Sequence, residues 1–131
     1  MLQKIKGEQM RQVKFNKANP CNDLIDIAAG DERTLGNASY EYYMTYPVKA
    51  GGVETQKLVF QNGPINEVGT NGITQEALIT VCIDRLECFQ NSEFACEENK
   101  EALQFLSAAV TILNSRTKRR IDEGTEGTHE V

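Results

Sequence analysis

The sequence predicts an α+β fold: a small antiparallel β-sheet with a short N-terminal helix, followed by a long C-terminal α-helical hairpin. Residues 71–131 carry two runs in which apolar residues recur every three or four positions, the spacing of one helix face. Residues 40–61 are rich in aromatic and β-branched side chains around a glycine turn, as in a β-hairpin. We therefore expect one domain over 1–131, with a strand-rich part, 1–70, and a helical part with a tail, 71–131.

The N-terminal segment predicts one short strand and one short helix. Val13–Phe15 is a candidate strand. Asn22 or Asp23 is placed to cap a helix that Gly30 is placed to end. Alternation of apolar and polar residues over 24–27 leaves a strand as the alternative for this segment.

Two further strands are predicted as a β-hairpin. The first is the aromatic run from Tyr40 to Tyr46, and Pro47 limits it because proline cannot donate to a central ladder. Residues 50–52 form the turn, and residues 54–61 form the returning strand. A third strand is expected nearby.

A helix start is predicted at Thr74, whose hydroxyl can accept an unpaired backbone N–H. Ile73 and Leu78 have the spacing of a hydrophobic staple around this cap. Residues 90–93 interrupt the apolar periodicity, and a second helix follows. Two antiparallel helices with a short connection form an αα-hairpin.

This hairpin brings Phe89, at the end of the first helix, near Asn99, at the start of the second. The apolar stripe of the second helix continues onto Arg116 and Arg120. Those arginines lie roughly 25–30 Å along the helix from Asn99, at about 1.5 Å per residue. One protomer does not bring all four side chains to one small ligand, so we expect a pocket shared between subunits.

Composition argues against several functional classes. The net charge of −5 and the pI of about 4.9 argue against a nucleic-acid-binding protein. No apolar run is long enough for a signal peptide or a membrane span. The four cysteines form no C-x-x-C motif, which indicates reduced thiols in a cytosolic protein, and we expect no metal and no cofactor.

Catalysis is not predicted. The single histidine, His129, lies in the tail, whereas a nucleophilic site needs a histidine in a packed environment. The sequence has no Walker loop, no G-x-G-x-x-G and no H-E-x-x-H motif. Adjacent carboxylates at 97–98 and 122–123 point in different directions on a helix and are interpreted as solvated surface.

The candidate binding residues each have a structural alternative. Cations near the end of a helix complement its macrodipole. Arg116 and Arg120, four residues apart, also present two guanidinium forks that suit a pyrophosphate. Phe89 is either a core residue or a stacking platform, and Asn99 is either a surface amide or local cap, or a reader of a base or ribose edge. Together the four suit an adenine nucleotide, which they would hold without reacting.

An ordered set of short motifs runs along the hairpin, with one more motif before it: Asn71-Gly72, Asp84-Arg85-Leu86, Phe89-Gln90, Phe94-Ala95-Cys96, Glu98-Asn99, Ala102-Leu103, Arg116-Thr117, Arg120, Glu126-Gly127-Thr128 and, before the hairpin, Phe60-Gln61-Asn62-Gly63-Pro64-Ile65. In these motifs the hairpin resembles the C-terminal hairpin shared by two families of phage anti-defence sponge proteins, one acting on Thoeris and the other on CBASS. The stretch before the hairpin resembles the Thoeris family.

This resemblance implies a function that the residues alone do not give. Thoeris anti-defence sponges sequester glycocyclic ADP-ribose, the signal made by TIR enzymes, without cleaving it. They act as homodimers, some further assembled into hexamers, and their location would be the cytoplasm of the infected bacterium. Their pocket residues correspond to Phe89, Asn99, Arg116 and Arg120. Alternatives are a sponge for the cyclic di- or trinucleotides of CBASS, an enzyme that cleaves the same signal, and a purely structural helical oligomer.

Overall fold

A computed structural model describes residues 10–30 and 36–128 of the chain. The chain divides into two compact units, 1–63 and 64–131. The first holds the antiparallel sheet and the second holds the helices, so the predicted α+β class is confirmed. The organisation of 1–131 as one domain stays a prediction.

The sheet of the first unit is an antiparallel meander in chain order. Its strands are β1 (Met10–Gln12), β2 (Asp26–Gly30), β3 (Glu41–Pro47) and β4 (Val53–Val59). The β3–β4 hairpin is the one predicted from the sequence, with ends that differ by one or two residues. The further strand expected beside this hairpin is β2, which pairs with β3.

The buried centre of the first unit lies on β2 and β3. Ala28, Ala29 and Tyr43 are its buried apolar residues among those described. Ala28 is the register partner of Tyr43 across the two strands. Because consecutive strand residues point to opposite faces, burial of both alanines means that each face of β2 is covered at this point.

The helix predicted between a cap at Asn22 or Asp23 and Gly30 is wrong over most of its length. A five-residue 3-10 helix, Pro20–Leu24, overlaps only its start, and the Asn19 side chain caps this short helix by accepting the Cys21 N–H over 2.9 Å. Most of the remaining residues lie in β2, in agreement with the alternative prediction of a strand. Pairing with β1 on one side and β3 on the other satisfies its backbone, and these long-range bonds outweigh local helix propensity.

The strand predicted at Val13–Phe15 lies a few residues too late. The observed β1 is Met10–Gln12, and only Val13 continues its ladder, donating its N–H to the Ile27 carbonyl over 2.9 Å. The prediction relied on the apolar side chains at 13 and 15. The strand is defined by its backbone pairing instead, and this pairing begins three residues earlier.

The second unit contains three helices: α1 (Ile65–Val68), α2 (Gln75–Gln90) and α3 (Glu97–Asp122). The Thr74 cap is confirmed, since its hydroxyl oxygen accepts the Ala77 N–H over 3.1 Å. The helices α2 and α3 pack against each other as the predicted hairpin. Over the described residues, neither helix combines the length and the apolar character needed to cross a membrane.

Candidate ligand-binding site

The side chain of Gln90 links the end of α2 to the start of α3. Its Nε2 donates to the Cys96 carbonyl over 3.0 Å, and its Oε1 accepts the Cys96 N–H over 3.0 Å. Gln90 is the last residue of α2, and Cys96 caps α3. This pair therefore fixes the end of α2, which carries Phe89, against the start of α3, which carries Asn99.

Phe89 is accessible at this turn. Its residue surface is 40% exposed, and the Arg85 guanidinium carbon lies 5.6 Å from the ring centroid. Arginine over an aromatic ring is a favourable cation–π arrangement, and it also steadies the ring. A ring held in this way and open to solvent is able to stack against a nucleobase.

Asn99 is not the cap of α3. Cys96 holds that role, with its Sγ accepting the Asn99 N–H over 3.5 Å. The helix cap considered as an alternative for Asn99 is therefore wrong. The residue is half-buried in the first turn of α3, where the positive end of the helix dipole favours an electron-rich ligand.

The opposite end of α3 carries four cations in different surroundings. Arg116 and Lys118 are exposed, and neither makes an ion pair with a residue in the described ranges. Arg119 pairs with Glu123 over 3.0 Å on the surface. Arg120 is only 5% exposed.

Arg120 is surrounded by the chain that follows α3. Its Nε donates to Glu126 Oε2 over 3.1 Å, and its Nη2 donates to the carbonyls of Thr125 and Thr128 over 2.8 and 3.2 Å. In return, the Arg120 carbonyl accepts the N–H groups of Thr125 and Glu126. The guanidinium and the turn thus fix each other.

Arg116 and Arg120 were predicted to form one pair of guanidinium forks on a shared face. They do lie four residues apart in one continuous helix. Their environments differ, however: Arg116 is open to solvent, while Arg120 is enclosed by the turn that follows α3. The structure therefore brings Phe89 and Asn99 to one end of the hairpin and leaves the arginines at the other, about 25–30 Å along α3.

Glu126 was not recognised as a site residue from the sequence. Its carboxylate reaches Arg120 only because the chain reverses after α3, with Gly124 and Gly127 at φ of 75° and 78°. Glycine adopts such left-handed angles without steric cost. Two glycines that flank an acidic residue just after a basic helix end are the signal that would have pointed to this pair.

The segment that includes most of the helical hairpin is similar to known proteins. Residues 55–117 match the family described as the Acb2/Tad1 hairpin domain. A protein of Bacillus phage SBSphiJ7 named Thoeris anti-defense 1 is 52% identical over 71 residues, which are 54% of this chain and 50% of that protein. Residues 55–117 of the chain are thus similar to the Acb2/Tad1 hairpin domain. The resemblance to phage Thoeris anti-defence proteins, predicted from the sequence, is thereby confirmed.

The segment that matches the Acb2/Tad1 hairpin domain contains only part of the candidate site. Phe89, Asn99 and Arg116 lie within 55–117, whereas Arg120 and Glu126 lie beyond its end. The chain spans about half the length of the curated relative that it matches.

Proposed function

We propose that this protein is a phage Thoeris anti-defence protein that binds and sequesters glycocyclic ADP-ribose without cleaving it. Its similarity to Thoeris anti-defense 1 of Bacillus phage SBSphiJ7, together with the Acb2/Tad1 hairpin, is the observation that carries this proposal. The family resemblance is what indicates glycocyclic ADP-ribose as the ligand. Its adenine and pyrophosphate suit an exposed aromatic ring, an amide and guanidinium groups.

Each site residue has one proposed task. Phe89 stacks on the adenine, and Asn99 donates to or accepts from a base or ribose edge. Arg116 and Arg120 provide the positive charge that faces the pyrophosphate. Each of these interactions binds the ligand, and none of them transfers a group or a proton, so the proposed activity is retention rather than catalysis.

A second copy of the chain would complete the pocket. The distance along α3 keeps the Phe89 end and the Arg116 end of one protomer apart, whereas an antiparallel copy places one protomer's ring beside its partner's arginine. Apolar exposure on the same helix supports such an interface, because Phe105 and Ile112 are 69% and 68% exposed. They lie seven residues apart on one face, and Arg116 follows Ile112 by one turn.

The site of action would be the cytoplasm of the infected bacterium, where the signal is made. Nucleic acid and membrane are not proposed as partners. The negative net charge of −5 disfavours a polyanionic duplex, which binds basic surfaces.

A sponge for the cyclic di- or trinucleotides of CBASS is the second candidate. The family name covers Acb2 as well as Tad1, and the sequence shares hairpin motifs with the anti-CBASS proteins. Aromatic stacking and arginine–phosphate contacts serve these ligands equally well.

Isothermal titration with a ligand panel separates the candidates. The panel is glycocyclic ADP-ribose, linear ADP-ribose, a cyclic dinucleotide and a cyclic trinucleotide. Tight binding of glycocyclic ADP-ribose alone supports the Thoeris proposal. Heat from the cyclic oligonucleotides alone replaces it with the CBASS proposal, and no heat from any of them contradicts both.

A further inference from the structure

Two neighbouring arginines at the end of α3 make acidic pairs of very different kinds. Arg119 bonds Glu123 on the surface, with half of each side chain exposed. Arg120 bonds Glu126 with 6% of the arginine side chain exposed and 34% of the glutamate. An exposed pair of this type contributes little because solvent screens it. A buried guanidinium, by contrast, requires a partner.

Three hydrogen bonds of Arg120 come from its Nε and Nη2 atoms, which form one edge of the guanidinium. Glu126 takes the Nε–H, and the carbonyls of Thr125 and Thr128 take Nη2. Because these acceptors approach from the turn, the plane of the guanidinium is set. Lysine has a single nitrogen and no such plane, so it would not be fixed in the same way.

The turn over residues 123–128, here called the C-terminal turn, is fastened on its other side as well. The Gly127 carbonyl accepts the Asn66 N–H of α1 over 3.3 Å. A Cβ on Gly127 would lie 2.9 Å from Ile65 Cγ1, so the turn packs closely on α1. Glu126 is thus held in place between two attachments, and its carboxylate is a fixed acceptor.

We infer that Glu126 is a positioning residue of the proposed ligand site, which acts by holding the Arg120 guanidinium in one orientation through the C-terminal turn. This inference rests on the proposed function. The two arginines then have different roles: Arg116 is an exposed, solvated charge, and Arg120 is a fixed donor whose charge is balanced by a carboxylate.

This division has an electrostatic consequence. The Arg120–Glu126 pair has no net charge, so its effect on an anionic ligand is short-ranged. Arg116 carries an unbalanced charge, whose attraction falls as salt is added. The salt dependence of ligand affinity should therefore fall in Arg116→Gln and stay near the wild-type slope in the Arg120→Gln/Glu126→Gln double variant, which removes both charges of the pair.

The test compares Glu126→Gln with Glu123→Gln, which makes the same charge change on the neighbouring surface pair. Affinity for glycocyclic ADP-ribose is measured by titration, at temperatures where thermal unfolding shows each variant folded. We expect Glu126→Gln to weaken binding about tenfold, because the neutral amide oxygen still accepts the Arg120 N–H but no longer makes a charge-assisted bond that holds the guanidinium. Glu123→Gln should bind as the wild type does.

A double-mutant cycle shows whether Glu126 acts through Arg120. In an Arg120→Gln background, Glu126→Gln should cost little further affinity. An undiminished loss in that background overturns the inference, as does wild-type or tighter binding by the single variant. If the wild type itself fails to bind glycocyclic ADP-ribose, the proposed function fails and the inference falls with it. Wild-type binding with an unaffected Glu126→Gln variant rejects the inference alone.

Discussion

The side-chain amide of Gln90 bonds both backbone groups of Cys96, with its Nε2 on the carbonyl and its Oε1 on the N–H, each over 3.0 Å. The Gln90 side chain thereby links the end of α2 to the start of α3. This link lies between Phe89, which is proposed to stack on the adenine, and Asn99, which is proposed to bond a base or ribose edge.

Gln90→Glu should loosen this turn, because a carboxylate keeps the acceptor for the Cys96 N–H but loses the donor to its carbonyl. We expect a loss of about 1 kcal/mol in the free energy of unfolding, measured by chemical denaturation. Gln104→Glu, at an exposed position of α3, is the matched control. Equal stability of both variants would show that the Gln90–Cys96 hydrogen bonds do not stabilise the turn.

Arg116→Ala should weaken binding of glycocyclic ADP-ribose by about 1.5–3 kcal/mol while stability stays near the wild-type value, because the side chain is exposed. Lys118→Ala removes an equal charge two residues away and should leave affinity nearly unchanged. Titration of both variants decides the assignment. Equal losses would indicate a diffuse electrostatic contribution rather than a specific contact.

Gly127→Ala should destabilise the protein more than Gly124→Ala. Both glycines have left-handed φ angles, 78° and 75°, so both variants bear a similar backbone cost of about 1–2 kcal/mol. A Cβ at position 127 also meets Ile65 Cγ1 at 2.9 Å, whereas one at position 124 meets nothing within 4 Å. Thermal unfolding of the two variants measures the difference, and identical midpoints would contradict the close packing of the turn on α1.

Phe105→Glu and Ile112→Glu should reduce self-association, because a charge in an apolar interface is costly to desolvate. Sedimentation velocity is expected to show a shift toward monomer. Gln104→Glu, which adds a charge one residue from Phe105, should leave the assembly unchanged. A wild-type protein that sediments as a monomer would contradict the shared pocket.

The helical hairpin was largely predictable because its signals are local. The Thr74 cap and the three-to-four-residue spacing of Leu78, Ile79, Ile83 and Leu86 depend only on neighbours in the chain. The β3–β4 hairpin was predictable for the same reason, since its glycine turn lies between two β-favouring runs.

The predictions that failed concern residues whose structure depends on long-range contacts. Residues 26–30 form a strand because β1 and β3 pair with them, and no local sequence pattern indicates those partners. Arg120 could be placed on a helix from spacing alone. Its burial depends on Glu126, which reaches it only after the chain reverses at Gly124.

The central claim is that the ligand is captured and held intact. The direct measurement is to load the purified protein with glycocyclic ADP-ribose, remove unbound ligand, denature the complex and examine the released molecule by mass spectrometry and chromatography. We predict recovery of unaltered glycocyclic ADP-ribose in a fixed ratio to protein. Recovery of linear or hydrolysed ADP-ribose, or of no nucleotide at all, would contradict the account.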